Sequence, residues 1–280
     1  MKCAWQAFIN LLPQKLRTEV DKQGKQNLQE LRLRVGEFPE LVLDSKSIWL
    51  ADRSTPEDLS FVINAASRYS PWAATTIRRG FITAAGGHRI GLCGDAVVHN
   101  GEMTGIRSPS SICMRVARDF PGISSRIKCL QGNVLIIGSP GSGKTTLLRD
   151  LIRQRSDNGQ GSVAVVDERG ELFPVNEQAH CFYAGKRTDV ITGCGKEQGI
   201  ETVLRTMGPS CIAVDEITAE SDCRALMNAG WSGVSLLATA HAASVSDLRA
   251  RPIYRPIVNS RLFDTVLVMQ PDKSWTEERM

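Results

Sequence analysis

The hydrophobic positions of the chain change rhythm near its middle. Trp5, Phe8, Ile9, Leu12 and Leu16 recur three and four residues apart, which predicts a short amphipathic helix interrupted near Pro13. Leu28–Val35 instead alternates apolar and polar residues, the period of a half-buried strand. Leu41–Leu43 and Ile48–Leu50 flank Asp44-Ser45-Lys46 and predict a hairpin. Thr55-Pro56-Glu57-Asp58 opens a helix reaching about Ser67: Thr55 suits the N-cap, Pro56 the first position, and the two acids its positive end. Glycines between Gly80 and Gly105 are expected to separate short strands such as Phe81–Ala84 and Arg89–Cys93, and Ser111–Arg118 closes this half.

Past the Pro121-Gly122 break the apolar runs become continuous. They predict strands at Val134–Ile137, Val163–Asp167, Cys211–Asp215, Val234–Ala240 and Thr265–Met269, with helices at Lys144–Gln154, Gly199–Met207 and Glu220–Ala229. Strands that are apolar throughout and alternate with helices predict a parallel sheet covered on both faces. The expected organisation is a smaller α+β domain over 1–122 followed by an α/β domain over 123–280.

Composition narrows this picture without redirecting it. Hydrophobic residues make up 42% of the 280 and charged residues 23%, the balance of a folded globular protein. No apolar run approaches the roughly 18–20 residues of a membrane span, and Met1–Leu12 lacks the signature of a signal peptide. Eight cysteines are scattered with no CxxC pair, so they read as reduced thiols of a cytoplasmic protein; Cys113, Cys129 and Cys194 have no metal-ligand spacing around them. The net charge of +4 falls in the first half, yet no basic block or aromatic-studded basic stripe demands a nucleic-acid partner.

The chemistry begins at Gly138-Ser139-Pro140-Gly141-Ser142-Gly143-Lys144-Thr145, which fits GxxxxGK[ST] at every defined position and stands between an apolar strand and a helix. The glycines let successive N–H groups turn inward around a phosphate chain, and the helix N-terminus adds positive field, with Thr146 next in line. Lys144 is placed to reach the β- and γ-phosphates, and the Thr145 hydroxyl to meet Mg²⁺. Cys211–Glu216 is a second element, an apolar strand ending in two carboxylates 71 residues after Lys144. Asp215 there would hold the metal's water shell and Glu216 would polarise an attacking water. The strand between them, Val163–Asp167, ends in Asp167, Glu168 and then Glu171, the mark of P-loop ATPases that carry their own catalytic glutamate. ATP with Mg²⁺ is the expected ligand pair, hydrolysis the expected reaction, and a RecA/AAA-like P-loop ATPase domain the expected fold.

Three stretches resemble the secretion and pilus ATPases: Val166–Leu172 their acidic box, Leu204–Ile217 their Leu-Arg…Pro…acid-Glu segment, and Leu237–Ser244 their histidine box. Nearly the whole chain is similar to the stage III sporulation AA family of endospore-forming bacteria, through Ser139–Asp150, Val166–Glu171, Arg187–Gly199, Leu204–Pro209 and Ala238–His241, with Glu30–Arg34, Gly87–Gly91 and Ser111–Arg118 in the first half. Gly170, Gly208 and Thr218 depart from that family's pattern.

The resemblance implies a cytosolic motor ATPase working on a membrane-embedded complex between mother cell and forespore, hexameric, with ATP between domains and neighbouring subunits. It places the Val234–Ala240 strand between the Val134–Ile137 and Cys211–Asp215 strands, with Thr239 and His241 as γ-phosphate sensors. Glu171, Glu168 and Glu216 compete for the role of base, and Arg205, at a helix end, either reaches a phosphate or pairs with an acid. Arg115 and Arg118 are candidates for a charge-stabilising finger, against the reading of ordinary surface arginines. A nucleic-acid-dependent ATPase and an ATP-binding scaffold without turnover stand as alternatives.

Overall fold

A computed structural model of the protein describes residues 1–44, 46–67, 80–127, 132–159, 161–176 and 179–279. Ser45 of the expected hairpin turn and the thiol of Cys129 lie outside them. The chain forms two units, Met1–Asp119 with Pro174–Phe182, and Phe120–Phe173 with Tyr183–Met280.

In the first unit, helix α1 (Trp5–Asn10) stops before Pro13 and α2 (Gln14–Asn27) follows it. Strand β1 (Leu28–Arg34) buries Leu28, Leu31 and Leu33; a bulge against β2 (Glu40–Leu43) falls between Leu28 and Glu30, and simple alternation resumes at Leu31. β3 (Ser47–Trp49) completes the hairpin, and α3 (Pro56–Ser67) packs on the sheet. Its entry is a capping box: Asp58 N–H donates to Thr55 Oγ1 at 3.3 Å, and Thr55 N–H donates to the Asp58 carboxylate at 2.8 Å. With β4 (Phe81–Thr83), β5 (Arg89–His99) and β6 (Glu102–Arg115) the sheet runs β3-β2-β1-β6-β5-β4, every pair antiparallel.

The expected strand at Phe81–Ala84 is present as β4, whereas Arg89–Cys93 runs on to His99 and forms one long hairpin of β5 and β6. Gly94 sits inside it, because a Cβ there would lie 2.6 Å from the Ser108 carbonyl oxygen at an irregularity in the pairing. The glycine thus lets two strands approach and does not end one. Arg118 donates to the Lys25 carbonyl at 2.7 Å and to Gln29 Oε1 at 2.9 Å, and Arg115 pairs with Glu30 at 3.1 Å. Both finger candidates are therefore bonded to their own unit.

His88 is fully buried in this unit. Ala117 N–H donates to its Nδ1 at 3.0 Å, and its Nε2–H donates to the Ala4 carbonyl at 3.0 Å. Burial pushes its pKa below the ordinary value, so the unfolded chain takes up this proton at higher pH than the folded one. His88 is expected to contribute stability that is complete above about pH 6.5 and is lost as pH falls below it, by up to about 1.4 kcal/mol per pH unit. Thermal midpoints of wild type and His88→Gln between pH 7.5 and 5.5 check this. The gap between the two should narrow on acidification, and a constant gap would refute the assignment.

The second unit holds a seven-stranded sheet ordered β11-β8-β12-β13-β7-β14-β15. Its strands are β7 (Val134–Ile137), β8 (Val163–Asp167), β11 (Thr188–Thr192), β12 (Cys211–Val214), β13 (Ser235–Ala240), β14 (Thr265–Met269) and β15 (Trp275–Arg279); the short strands β9 (Val175–Asn176) and β10 (Ala179–His180) pair antiparallel in the first unit. All neighbours are parallel except β14 and β15, so the expected parallel sheet carries an antiparallel edge. Helices α5 (Lys196–Met207) and α6 (Glu220–Trp231) bury Ile200, Val203 and Leu226 in one core with Ile137, Val166, Ile212 and Leu236. The period of two leaves Ile136, Val165 and Leu237 for the opposite face. There α4 (Lys144–Asn158) packs on β7, β8 and β13 and buries Leu147, Leu148 and Leu151. Among the described residues no helix is long and apolar enough to cross a membrane.

Parallel strands deliver the loops after their C-terminal ends to one edge of the sheet. The segments after β7, β8, β12 and β13 begin at Gly138, Glu168, Asp215 and His241. This topology gathers residues far apart in sequence into one cluster.

Candidate functional site

The glycine-rich loop is a tight cradle. Gly141 and Gly143 have φ of 76° and 98°, the left-handed region that other residues avoid. A Cβ on Gly138 would lie 2.7 Å from Ser142 Oγ and 2.8 Å from Met269 Cβ, so only glycine fits under β14 at that point. Lys144, the first residue of α4, folds back over the loop: its ammonium donates to the carbonyls of Gly138 and Ser139, both at 2.9 Å. Burial pushes the Lys144 pKa down, opposed by the carboxylates of Asp215 and Glu216.

From Lys144 a closed ring of hydrogen bonds runs through three strand ends. Lys144 Nζ donates to His241 Nδ1 at 3.1 Å; since an ammonium has only donors, the ring proton sits on Nε2, which donates to Glu216 Oε1 at 3.0 Å. Glu216 N–H donates to Thr239 Oγ1 at 2.7 Å, and Thr239 Oγ1 donates to Asp215 Oδ1 at 2.6 Å. Thr145 Oγ1 donates to Asp215 Oδ2 at 2.8 Å and closes the circuit next to Lys144. Glu216 takes part from a left-handed backbone (φ 55°), strain of about 1 kcal/mol for a residue with a Cβ. Arg169 contacts its other oxygen at 3.3 Å.

The acidic segment after β8 is organised by Asp167. Its carboxylate is buried and accepts the N–H groups of Glu171, Leu172 and Phe173, each at 2.9 Å. Burial raises its pKa to about 6 against the pull of those donors, so ionising it costs folding free energy that grows as pH rises from about 4 to about 6. Asp167→Asn would set its amide against one of the three N–H groups. Amide exchange at 171–173 is expected to quicken about tenfold or more, the ~1.4 kcal/mol of an unmet donor. Exchange at wild-type rates would show that the carboxylate does not hold the loop.

Glu168 points to Lys196, the buried first residue of α5, with 2.6 Å between charges; Asp222 lies 3.9 Å from the same ammonium. Asp167, Glu168, Glu171, Lys196, Asp215 and Glu216 all line one cleft open to solvent. Tyr254 braces the main chain on either side of the ring, since its buried hydroxyl accepts His241 N–H and donates to the Ile217 carbonyl, both at 3.3 Å.

Of the residues singled out by sequence, Lys144, Thr145, Asp215, Glu216 and His241 thus join in one ring, and Glu168 and Glu171 share its cleft. Arg205 does not. It lies exposed in the last turn of α5, roughly 13 Å along the helix axis from Lys196 and toward the opposite edge of the sheet. Lys196, Asp167 as loop anchor, Arg169 and Tyr254 were not legible as site residues. Only Asp167 carried a signal, as the first acid after an apolar strand.

The loop and cleft suit a nucleoside triphosphate. Ser142 Oγ is buried with no hydrogen-bond partner among the described residues, an orphan of the kind a bound phosphate would satisfy. Asp215 and Thr145 together form the oxygen donor set Mg²⁺ prefers.

The fold is that of the P-loop ATPases of secretion and pilus machines. The chain resembles the ATPase DotB of Legionella pneumophila with a TM-score of 0.58 at 17% identity, covering 96% of this chain and 80% of that one. It resembles the pilus retraction motor PilT, solved with ADP, with a TM-score of 0.59 at 14% identity, covering 90% and 77%. At such identities the likeness is one of fold. Within that class, a family described as "Sporulation stage III, protein AA" matches residues 5–278, and the chain belongs to that family. The stage III sporulation protein AA of Bacillus subtilis (strain 168) is 34% identical over 279 residues, 95% of this chain and 91% of that protein.

Proposed function

We propose that the protein is a Mg²⁺-dependent ATP hydrolase whose conformational cycle works a membrane-embedded, secretion-like complex between mother cell and forespore. The observation that carries this reading is the closed ring Lys144–His241–Glu216–Thr239–Asp215–Thr145, which ties the cradle of Gly138–Thr146 to both following strand ends. Phosphoryl transfer needs little covalent help, and positioning with charge stabilisation supplies the rate. The loop N–H groups and Lys144 bind and orient the phosphates. Thr145 and Asp215 would hold Mg²⁺, which would supply neutralisation of phosphate charge. Glu216, fixed by His241 and Arg169, is aimed to orient a water and accept its proton, with Glu171 as the second carboxylate of the cleft. Thr239 and His241 touch both ends of this arrangement and transmit its changes along β13.

The protein works as a ring, with each site completed by a neighbour, cytoplasmic and held at the membrane through its partners. Arg205, outside the cleft of its own chain, serves in such a ring only across a subunit boundary. The test is Mg²⁺–ATPase activity per subunit over a hundredfold range of protein concentration. Specific activity should climb with concentration. Flat activity would leave the hydrolase but remove the ring, and bound ATP without turnover at any concentration would leave only a nucleotide-binding scaffold.

A further inference from the structure

The chain passes between its two units three times, at 119/120, 173/174 and 182/183. Within the second unit, the residues next to each passage are held by one turn of one helix, α4, whose first residues belong to the glycine-rich loop. Asp150 accepts the N–H groups of Gly122 and Ser124 at 2.9 and 2.8 Å, and the Ser124 hydroxyl at 2.7 Å. Arg149 donates from Nε to the Leu172 carbonyl at 2.6 Å and from Nη2 to the Glu171 carbonyl at 2.9 Å. Arg153 donates to the Tyr183 carbonyl at 2.8 Å and pairs with Asp150 at 3.2 Å. All three side chains are about 95% buried.

Three buried charged side chains within five residues are costly unless each is fully bonded. Core packing of α4 is already supplied by Leu147, Leu148, Leu151 and Ile152, so packing does not explain them. What the three share is their targets: main-chain groups within five residues of a passage. Their place on the helix matters as well. Lys144 and Thr145 lie only four to nine residues upstream on the same rigid element, so a shift of the helix end that meets phosphate is a shift of all three holds. Arg149 further fixes the main chain of Glu171, one of the two carboxylates proposed to face the reaction.

We infer that Arg149, Asp150 and Arg153 are positioning residues that make α4 the clasp between phosphate binding and the three passages to the N-terminal unit. The inference rests on the nucleotide reading above and adds the route by which the nucleotide state leaves the site.

The test is hydrogen exchange of the full-length protein with and without Mg²⁺·AMP-PNP, alongside its affinity for that nucleotide and its kcat and KM for ATP. In wild type, nucleotide is expected to slow exchange tenfold or more at 120–126, 171–173 and 183–187. In Asp150→Asn that protection should fall at least fivefold at 120–126, with AMP-PNP affinity within threefold of wild type and kcat down about tenfold at unchanged KM. Ser124→Ala, which deletes one hydroxyl and threatens folding far less, should show the same split at smaller amplitude. Wild-type protection and kcat in both variants would overturn the clasp. So would a wild-type protein that binds AMP-PNP without any change at the passages, which leaves the nucleotide reading standing. A wild-type protein that does not bind AMP-PNP removes that reading, and the clasp with it.

Discussion

Asp215→Asn is expected to abolish Mg²⁺-dependent turnover, lowering kcat on the order of a hundred- to a thousandfold or more. Two hydroxyls converge on this carboxylate, Thr145 on one oxygen and Thr239 on the other. An amide in its place must present NH₂ to one of them. On the Thr239 side, that hydroxyl already accepts from Glu216 N–H and loses the carboxylate oxygen to which it donates. On the Thr145 side, the oxygen pair that suits Mg²⁺ is broken and its negative charge is gone. Steady-state ATPase assays across Mg²⁺ concentrations, with nucleotide binding measured in the presence of EDTA, separate the effects: metal-free binding should persist while turnover disappears. Normal hydrolysis by Asp215→Asn would mean that the metal is held elsewhere.

Lys144→Ala should act one step earlier, on binding. The ammonium donates to two loop carbonyls and to His241, and it is the cation of the cradle. A charge-assisted contact to phosphate is worth roughly 1.5–3 kcal/mol, so affinity should fall on the order of 10- to 150-fold, and turnover should not recover when ATP is raised. Lys144→Arg is not a rescue, because a planar guanidinium cannot replace a compact ammonium in a buried site 6% exposed. Titration with a fluorescent ADP analogue reads the affinity, and a thermal melt without nucleotide checks that the variant is folded. Unchanged affinity in a folded variant would remove Lys144 from the site.

What the sequence reveals about this fold depends on how completely a segment is buried. Val134–Ile137 and Thr265–Met269 are legible to the residue, since central parallel strands are apolar on both faces. Edge strands are not. Thr188–Thr192 is only half buried, and Trp275–Arg279 reads as an exposed polar tail although it pairs along its whole length with β14. The β5–β6 hairpin is hidden by its glycines, because a glycine can mark a close approach, as Gly94 does, and not only a turn. The cluster divides along similar lines. Lys144, Thr145, Asp215 and Glu216 follow from local spacing around strand ends. Lys196 reaches the cleft, and Tyr254 the main chain of His241, from segments with no pattern of their own, and their roles exist only once distant loops are adjacent.

Glu216 adopts the left-handed backbone with a side chain that disfavours it. With Glu216 in the role proposed for it, selection for heat resistance and selection for turnover pull in opposite directions at this one position. Glycine there would relax the backbone by about 1 kcal/mol and at the same time remove the carboxylate that meets His241. A library screened only for survival on heating should accumulate changes at 216 that run cooler in the assay tube than the parent, sturdier and idle.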